Sequence, residues 1–410
     1  MKQIVTSLDV GSDKIKLVVS EVHNNNFFVL ACSEVSSKGI KKGFVVDPET
    51  AIESVKECFK RVNEVLGIKI DNVILTIPSD ESEFIKSDGY TTINREENIV
   101  GGDDIVRALQ ACVYNKVPVN KELVNIMPLN YILDEDTVVD DPKGEHANKL
   151  TVNSVLGVVP KKNVYGIFAL LNTIGIKVTD VCFGGIADYY EFRRKGMMDS
   201  EVAVINIGKD KTEISILSKN VLVGNDVLNV GGRNIDRDIS YVYDLSLKES
   251  VKLKEKFALA HKKHASTSET YECLTKNNET IKINQYEISE IVYERVKEIL
   301  ELSKKQINIL TKKEISYIII TGGSTEIEDF NEVVDEVIGK KAVLGNITEL
   351  GVRNNKFSSA LGITKYYAEK INFRNRIAST ISEEEQEEMF QVKKKYGNIL
   401  GKVYGYFFDN

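Results

Sequence analysis

Short apolar runs and alternating apolar residues predict strands in two separate regions of the chain. In the first region the predicted strands cover 4–8, 15–21, 27–34 and 73–78. A helix is predicted over Pro48–Leu66, because apolar residues recur there every three to four positions and acids occupy the first turn. Three strands, a helix and another strand indicate an α/β layer.

The second region repeats this arrangement. Its predicted strands cover 202–207, 214–217, 221–230 and, far downstream, 317–321. Both regions open with a strand, a short polar turn at Gly11 or Gly208, and a second strand. This repetition indicates an internal duplication whose sequence identity has decayed. Two similar halves imply a cleft between them, and such clefts are usual ligand sites.

Two insertions interrupt the predicted halves. The first is a small α+β module with a helix over 103–115 and strands over 123–133 and 150–159. The second is strongly charged and mainly helical, with one apolar face running from Ile288 to Leu302. The predicted domains are a first half (1–83 and 163–198), its insertion (84–162), a second half (199–240 and 314–372), its insertion (241–313), an acidic linker (373–388) and a terminal helix (389–410).

Composition indicates a globular protein without a global attraction to nucleic acid. The 410 residues are 42% hydrophobic and 28% charged, with a net charge of −7. The sequence lacks the alternation of basic and aromatic residues that is typical of nucleic-acid binding. Five scattered cysteines without a C-x-x-C pair favour free thiols and a reducing compartment. No signal peptide is evident and no apolar run approaches the ~18 residues that span a bilayer, so we expect a cytoplasmic body.

The first turn carries candidate phosphate and metal ligands. A strand ends in Asp9, Gly11, Ser12 and Lys14, and a second strand follows. A carboxylate, backbone N–H groups and a hydroxyl at the tip of a hairpin can hold magnesium and phosphate together. Alone the pattern is more typical of a simple hairpin.

Two further segments suit a nucleotide. A buried strand runs into Gly322-Gly323-Ser324, which would let the backbone approach a ligand closely; an ordinary strand-to-helix turn is the alternative. Residues 206–212 occupy the equivalent turn of the second half.

In this order and spacing, the elements resemble the sugar-kinase/Hsp70/actin superfamily, and within it the FtsA family of actin-like bacterial cell-division proteins. Four more segments are similar to that family: 37–47, 125–144, 183–189 and 231–239, the last matching G-G-x-x-[apolar]-T-x-D except at Asp236. The resemblance covers nearly the whole chain. It implies an α/β actin-like fold with ribonuclease H-like duplicated halves, a 1C-type insertion and a helical 2B-type insertion.

The resemblance also implies a site for ATP and magnesium between the halves, with Asp9 on the magnesium side. The implied nucleotide-binding residues are Asp9, Gly11, Ser12, Asp13, Lys14, Gly208, Lys209, Asp210, Lys211, Thr212, Gly231, Gly232, Gly322, Gly323 and Ser324.

The second turn departs from the family pattern D-[apolar]-G-G-G-T. Asn206 replaces an aspartate, and an amide is a poor magnesium ligand. Lys209 and Asp210 replace glycines, although the lysine could contact a phosphate and the aspartate could partly restore the lost carboxylate. We therefore expect nucleotide binding with weak or absent hydrolysis, and no catalytic residue is assigned.

The C-terminal tail predicts a membrane contact. After an acidic stretch, an apolar stripe at helical spacing is flanked by lysines, as in helices that lie on a bilayer and as in the FtsA family. The alternative is a last helix docked on the body, and three glycines disfavour helix in either case. The predicted membrane residues are Tyr396, Ile399, Leu400, Val403, Tyr404 and Phe407. The expected location is the cytoplasmic face of the membrane at the division site.

The resemblance implies two protein partners: further copies of the chain in a filament, and the acidic C-terminal peptide of the tubulin-like protein FtsZ. The matching 2B-type insertion offers Lys252, Lys256 and Lys263 for that peptide, although a solvated helix face is the alternative. His261 and His264 could share a metal, but no third ligand is evident. A PilM-like platform for pilus assembly and a small-molecule kinase of the same superfamily stay open as functions.

Overall fold

The computed structural model describes residues 3–23, 26–94, 97–372 and 379–395, with side chains for 3–23, 26–94, 97–371 and 379–389. The predicted membrane residues Tyr396, Ile399, Leu400, Val403, Tyr404 and Phe407 lie outside them.

Both halves contain the predicted strands and helices, and each half carries its insertion. The first half and its insertion comprise β1 (Gln3–Val10), β2 (Lys14–His23), β3 (Asn26–Ser36), β4 (Ile40–Lys41), β5 (Phe44–Val45), α1 (Pro48–Leu66), β6 (Asn72–Ile77), β7 (Glu83–Thr92), α2 (Gly102–Val113), β8 (Lys121–Leu133), β9 (Thr137–Val139), β10 (Lys149–Pro160), α3 (Lys162–Thr173), β11 (Lys177–Phe183) and α4 (Gly184–Phe192). The second half, its insertion and the C-terminal part comprise β12 (Glu201–Ile207), β13 (Thr212–Ser218), β14 (Val221–Leu228), α5 (Gly232–Val242), α6 (Leu247–Lys256), β15 (Thr270–Leu274), β16 (Thr280–Asn284), α7 (Gln285–Leu310), β17 (Tyr317–Thr321), α8 (Phe330–Val337), β18 (Ala342–Leu344), α9 (Ser358–Asn372) and α10 (Glu383–Lys395).

The two central sheets have the same topology. The first has the order β11-β6-β1-β2-β3 and the second β18-β17-β12-β13-β14. In each, the opening strand is antiparallel to the strand that follows it and parallel to the strand that returns after a helix. The predicted duplication is therefore present strand for strand.

The last helix of each half packs against the sheet of the other half. α4 ends the first half and contacts β12 and β13, whereas α9 ends the second half and contacts β1, β2 and β6. The two helices cross where a Cβ on Gly362 would lie 1.7 Å from the carbonyl oxygen of Ala187. Lys365 Nζ also bonds to Glu191 Oε1 across this crossing, at 2.9 Å. This exchange of α4 and α9, each packed on the sheet of the other half, holds the two halves together below the cleft.

The first insertion is a sheet of order β7-β10-β8-β9 with α2 packed against it. The two predicted strands are present as β8 and β10, and each is slightly longer than its predicted range. The strand β7 was not predicted. Its buried positions are Ser87 and Gly89 rather than large apolar residues. Gly89 lies under α2, where a Cβ would come within 2.4 Å of the Cys112 backbone nitrogen.

The second insertion is less helical than expected. A hairpin of β15 and β16 precedes α7, and α6 ends at Lys256 rather than continuing through the lysine-rich segment. α7 buries the predicted apolar face along its length.

The C-terminal segment predicted as a linker is docked on the first half where the structure describes it. Thr380 N donates to Ile4 O at 2.8 Å, and Thr6 N donates to Thr380 Oγ1 at 2.8 Å. Ile381 and Met389 are buried. Acidic composition suggested solvation, but the glutamates point outward while these apolar residues face the body.

Candidate functional site

A cleft of about 580 Å³ lies between the two halves, and both polar turns line it. The turns have the same geometry. Gly11 N donates to Lys14 O at 3.1 Å, and Gly208 N donates to Lys211 O at 2.9 Å. The duplicated sheets thus place two equivalent hairpin tips face to face across the cleft.

The first turn is tied to its own half and to the opposite turn. Ser12 Oγ accepts a hydrogen bond from Gly43 N at 3.1 Å. Asp13 forms an ion pair with Lys209 across the cleft. Burial opposes ionisation of Asp13, but the hydrogen bond and charge of Lys209 hold its pKa below the ordinary value. The carboxylate is therefore ionised at neutral pH.

Asp9 is held by two donors. Lys16 Nζ lies 2.6 Å from its Oδ2, and Thr76 Oγ1 donates to its Oδ1 at 2.8 Å. Lys16 is absent from the sequence-based set. It interrupts an otherwise buried apolar strand, and a lysine at such a position is itself a signal of a partner carboxylate.

Three glycine segments of the second half form one unit. Gly208 O accepts from Gly232 N at 3.0 Å and from Ser324 Oγ at 2.9 Å. Gly322 has φ +104°, and a Cβ there would lie 2.5 Å from Asn206 Oδ1. These contacts require glycine and fix the second turn against the loop after β17.

Most of the predicted nucleotide-binding residues line the cleft, but two do not. Thr212 is buried and donates its hydroxyl to Val230 O at 2.8 Å. Gly231 packs on the backbone of the second turn, where a Cβ would lie 2.5 Å from Gly208 O. Both support the turn from behind rather than facing the cleft.

Two acids were missed by the sequence analysis. Glu213 lines the cleft, whereas Asp188 is fully buried behind Asn206 and Ser359, which line it. Asp188 of α4 accepts from Ser358 Oγ at 2.7 Å, Ser359 Oγ at 2.8 Å and Asn206 Nδ2 at 2.6 Å. Burial raises its pKa to about 6, although these hydrogen bonds work against the shift. Glu213 accepts from Ser79 Oγ at 2.8 Å.

Burial likewise raises the pKa of Glu213 to about 7, and the hydrogen bond from Ser79 opposes the shift. Neither acid belongs to a glycine turn. Asp188 comes from α4 and Glu213 from the strand beyond the second turn, so only the assembled fold reveals their surroundings.

Two family models match this chain. "Cell division protein FtsA" matches residues 203–362, and "SHS2 domain inserted in FTSA" matches residues 80–156. The chain belongs to the FtsA family. Both the predicted resemblance and the predicted actin-like fold class are confirmed.

Curated FtsA relatives extend over most of the chain. Cell division protein FtsA of Bacillus subtilis is 24% identical over 91% of this chain and 86% of its own length. The FtsA protein of Enterococcus hirae is 23% identical over 88% of this chain and 82% of its own length. These relatives support an actin-like role in cell division.

Solved structures share the fold. In the PilM-PilN type IV pilus biogenesis complex, a chain is 16% identical, with TM-score 0.57, over 87% of this chain and 96% of that one. MreB5 of Spiroplasma citri bound to ADP is 13% identical, with TM-score 0.56, over 91% of this chain and 99% of that one. At this identity the likeness concerns fold alone, so it does not favour the PilM-like alternative.

The donor set fits magnesium poorly in this FtsA-family cleft. Both oxygens of Asp9 are engaged by Lys16 and Thr76. Asn206 directs its amide nitrogen to Asp188. Asp210 pairs with Arg233 through Oδ1, and its Oδ2 is buried without a hydrogen-bond donor. Among the described residues, no group of three or more His, Cys, Asp or Glu side chains is arranged to hold a metal ion.

The predicted partner lysines lie on the 2B-type insertion. Lys252, Lys256 and Lys263 are all exposed, and Lys252 also pairs with Glu249 at 2.9 Å. The neighbouring Lys254 turns inward and lies 2.6 Å from Asp236 Oδ1. The three predicted partner lysines are thus accessible, and their role stays a prediction.

The two histidines bond to different carboxylates. His261 contacts Glu336 and His264 contacts Asp329, each at 3.1 Å. A shared metal is therefore not supported. Within the described residues, no helix combines the length and apolarity needed to cross a membrane.

Proposed function

We propose that this FtsA-family protein binds ATP in the cleft, self-associates, and holds FtsZ filaments at the cytoplasmic surface of the membrane at the division site. The carrying observation is the pair of equivalent turns that face each other across a cleft. Their N–H groups and lysines suit a phosphate chain.

Structural neighbours support a nucleotide as the ligand. MreB5 of Spiroplasma citri, with which this chain shares its fold, has been solved with ADP and with AMPPNP. In this chain, the Gly11–Lys14 and Gly208–Lys211 turns would contact the phosphates, and Gly322–Ser324 would lie beside the adenosine. The magnesium role predicted for Asp9 stays a prediction, and the contacts of Asp9 argue against it.

Nucleotide acts in this proposal as a conformational ligand. The Asp13–Lys209 pair and the Lys211–Asp80 contact at 2.5 Å already join the halves at the cleft. A ligand that also contacts both turns would favour the closed arrangement and the self-association that depends on it. Asn206 at the position of the family aspartate argues against rapid hydrolysis.

Recruitment of FtsZ to vesicles tests the whole proposal. Purified full-length chain, ATP and FtsZ are mixed with anionic phospholipid vesicles and sedimented. We expect FtsZ in the vesicle pellet only when this chain is present. FtsZ that stays in the supernatant at every ATP concentration would overturn the tethering role.

Lysine variants of this chain, tested in the same assay, identify the surface that contacts FtsZ. Replacing Lys252, Lys256 and Lys263 together with glutamine should reduce FtsZ recovery and its salt sensitivity, because the partner peptide is acidic. Replacing the exposed Lys56, Lys60 and Lys69 of the first half removes the same charge and should have no effect. ATP consumption stimulated by a small hydroxylated compound would instead favour the kinase alternative.

A further inference from the structure

Lysines, rather than free carboxylates, dominate the two turn tips. Lys14 lies within the first turn and Lys16 follows it, and Lys209 and Lys211 lie within the second turn. All four line the cleft. A nucleoside triphosphate carries several negative charges, which must be balanced by a divalent cation or by protein cations.

The carboxylate oxygens of Asp9, Asp188 and Asp210 are engaged by donors, except for Asp210 Oδ2. Asp9 is bound by an ammonium group at 2.6 Å and a hydroxyl at 2.8 Å. Asp210 pairs with Arg233 through Oδ1, so its Oδ2 could supply only a single ligand to a cation. Asp188 is fully buried and accepts three hydrogen bonds. A cation entering beside Asp9 would have to displace Lys16 and would meet the neutral amide of Asn206.

Lys209 is placed to supply the missing positive charge. Its backbone is fixed, because Arg233 N donates to Lys209 O at 2.7 Å and Gly208 O binds two further donors. Its ammonium group reaches across the cleft to Asp13. Both side chains of that pair are partly exposed, at 31% for Lys209 and 46% for Asp13.

An exposed pair of this kind is weak, because water solvates both charges and competes with their attraction. The phosphate chain of a nucleotide bound between the turns would offer Lys209 a more highly charged partner at the same place. Asp13 could then return to solvent at little cost, since nearly half of its side chain is already exposed.

We propose that this cleft binds the phosphate chain of a nucleoside triphosphate through lysine ammonium groups, chiefly that of Lys209, without requiring a divalent cation. The inference rests on the proposed nucleotide site and assigns the charge balance within it. It predicts that nucleotide binding does not depend on magnesium.

Equilibrium binding of a fluorescent ATP analogue, measured with magnesium and with EDTA, tests this inference. For the natural sequence we expect the two Kd values to agree within about threefold, because the protein cations need no metal bridge. Lys209→Gln should weaken binding in EDTA by about tenfold or more, and magnesium should recover part of that loss. Lys209→Arg keeps the charge and should stay insensitive to EDTA.

The matched control is Lys219→Gln. Lys219 lies in the exposed turn at the opposite end of β13, so it removes the same charge far from the cleft and should leave both Kd values unchanged. Thermal unfolding of each variant checks that the fold is retained.

The outcomes distinguish this inference from the proposed function. Binding with magnesium but not with EDTA would overturn the lysine-based site while leaving nucleotide binding intact. Equal Kd values for Lys209→Gln and the natural sequence in EDTA would also overturn the role of Lys209. Absence of binding under both conditions would overturn the nucleotide site itself.

Discussion

At the residue scale, Gly322 has the strictest steric requirement of the cleft loops. Its φ of +104° with ψ of 161° belongs to a region that only glycine populates readily. A Cβ would lie 2.5 Å from Asn206 Oδ1 and 2.6 Å from Ile207 O, so the Asn206 side chain and the Ile207 backbone together block a side chain. The loop after β17 can therefore approach the second turn only as glycine.

Gly322→Ala should destabilise the fold by about 3 kcal/mol or more, through backbone strain and steric overlap together. Gly339→Ala is the control, because Gly339 has φ +89° but no atom within 4 Å of an added Cβ. It should cost about 1 kcal/mol. Urea unfolding of both variants measures the difference; equal losses would mean that strain alone sets the requirement.

The raised pKa of Glu213 predicts a pH dependence of stability. The folded value is about 7 and the ordinary value is 4.5, so the native state retains a proton that the unfolded chain releases. This contribution is complete below pH 4.5 and is lost as pH rises through 7. The slope for one proton is at most about 1.4 kcal/mol per pH unit.

Glu213→Gln removes the titrating group and should flatten this fall. Urea unfolding between pH 5 and pH 8 gives the free energy of unfolding for both proteins, and their difference should change with pH in the stated direction. Glu64→Gln, on the exposed side of α1, controls for loss of a carboxylate elsewhere. Parallel curves for the natural sequence and Glu213→Gln would contradict the shift.

At the element scale, the crossing of α4 and α9 depends on a close backbone approach. An added Cβ on Gly362 would overlap the Ala187 carbonyl at 1.7 Å, so the helices would have to separate. Ser7 Oγ donates to Ala360 O at 2.6 Å beside this crossing and would separate with it. The crossing thus fixes the position of the last helix on the first sheet.

Gly362→Ala should therefore lower the free energy of unfolding by about 3 to 5 kcal/mol, since the overlap cannot be relieved by a rotamer change. Gly166→Ala, also in a helix, places its Cβ 3.8 Å from Val45 Cβ and should stabilise by about 0.5 to 1 kcal/mol. Chemical unfolding compares the two. A neutral Gly362→Ala would show that the helices can shift without cost.

Elements with strong apolar periodicity could be predicted from sequence. Elements whose burial depends on packing against a distant segment could not. The predicted strands of both central sheets and α1 have patterns that their burial explains, whereas the edge strands β11 and β18 were not predicted. β7 buries Ser87 and Gly89, so its sequence has no apolar alternation to detect. The docked segment at 379–389 resembles a linker because its few buried residues are spread among glutamates.

The same distinction applies to the site. Gly11, Gly208 and Gly322 were found because turn chemistry is local. Asp188 and Glu213 were missed because their environment comes from segments distant in sequence, and the direction of Asp210 depends on Arg233 of α5. Local sequence therefore located the loops but not the groups that surround them.

At the scale of the whole molecule, the tail has two parts with different expected roles. Residues 379–389 belong to the folded body, because Met389 is fully buried and Thr380 is bonded to β1. The predicted membrane residues follow, from Tyr396 onward. A truncation can therefore separate membrane binding from stability.

A chain ending at 395 should keep the unfolding temperature of the full chain and no longer pellet with anionic vesicles. A chain ending at 388 should also lose stability by about 2 to 4 kcal/mol, because the Met389 side chain is removed from the core. Vesicle sedimentation and thermal unfolding measure the two effects. Undiminished pelleting of the chain ending at 395 would contradict membrane contact by the tail.

The exchange of α4 and α9 constrains how the protein folds during synthesis. The first sheet leaves the ribosome early, but α9 and the 379–389 segment that cover β1 are among the last parts made. Until they emerge, buried positions such as Ile4 and Leu8 lack their cover. The nascent first half therefore keeps apolar surface exposed until these segments are synthesised. Exposed apolar surface of this kind is what makes folding chains depend on chaperones.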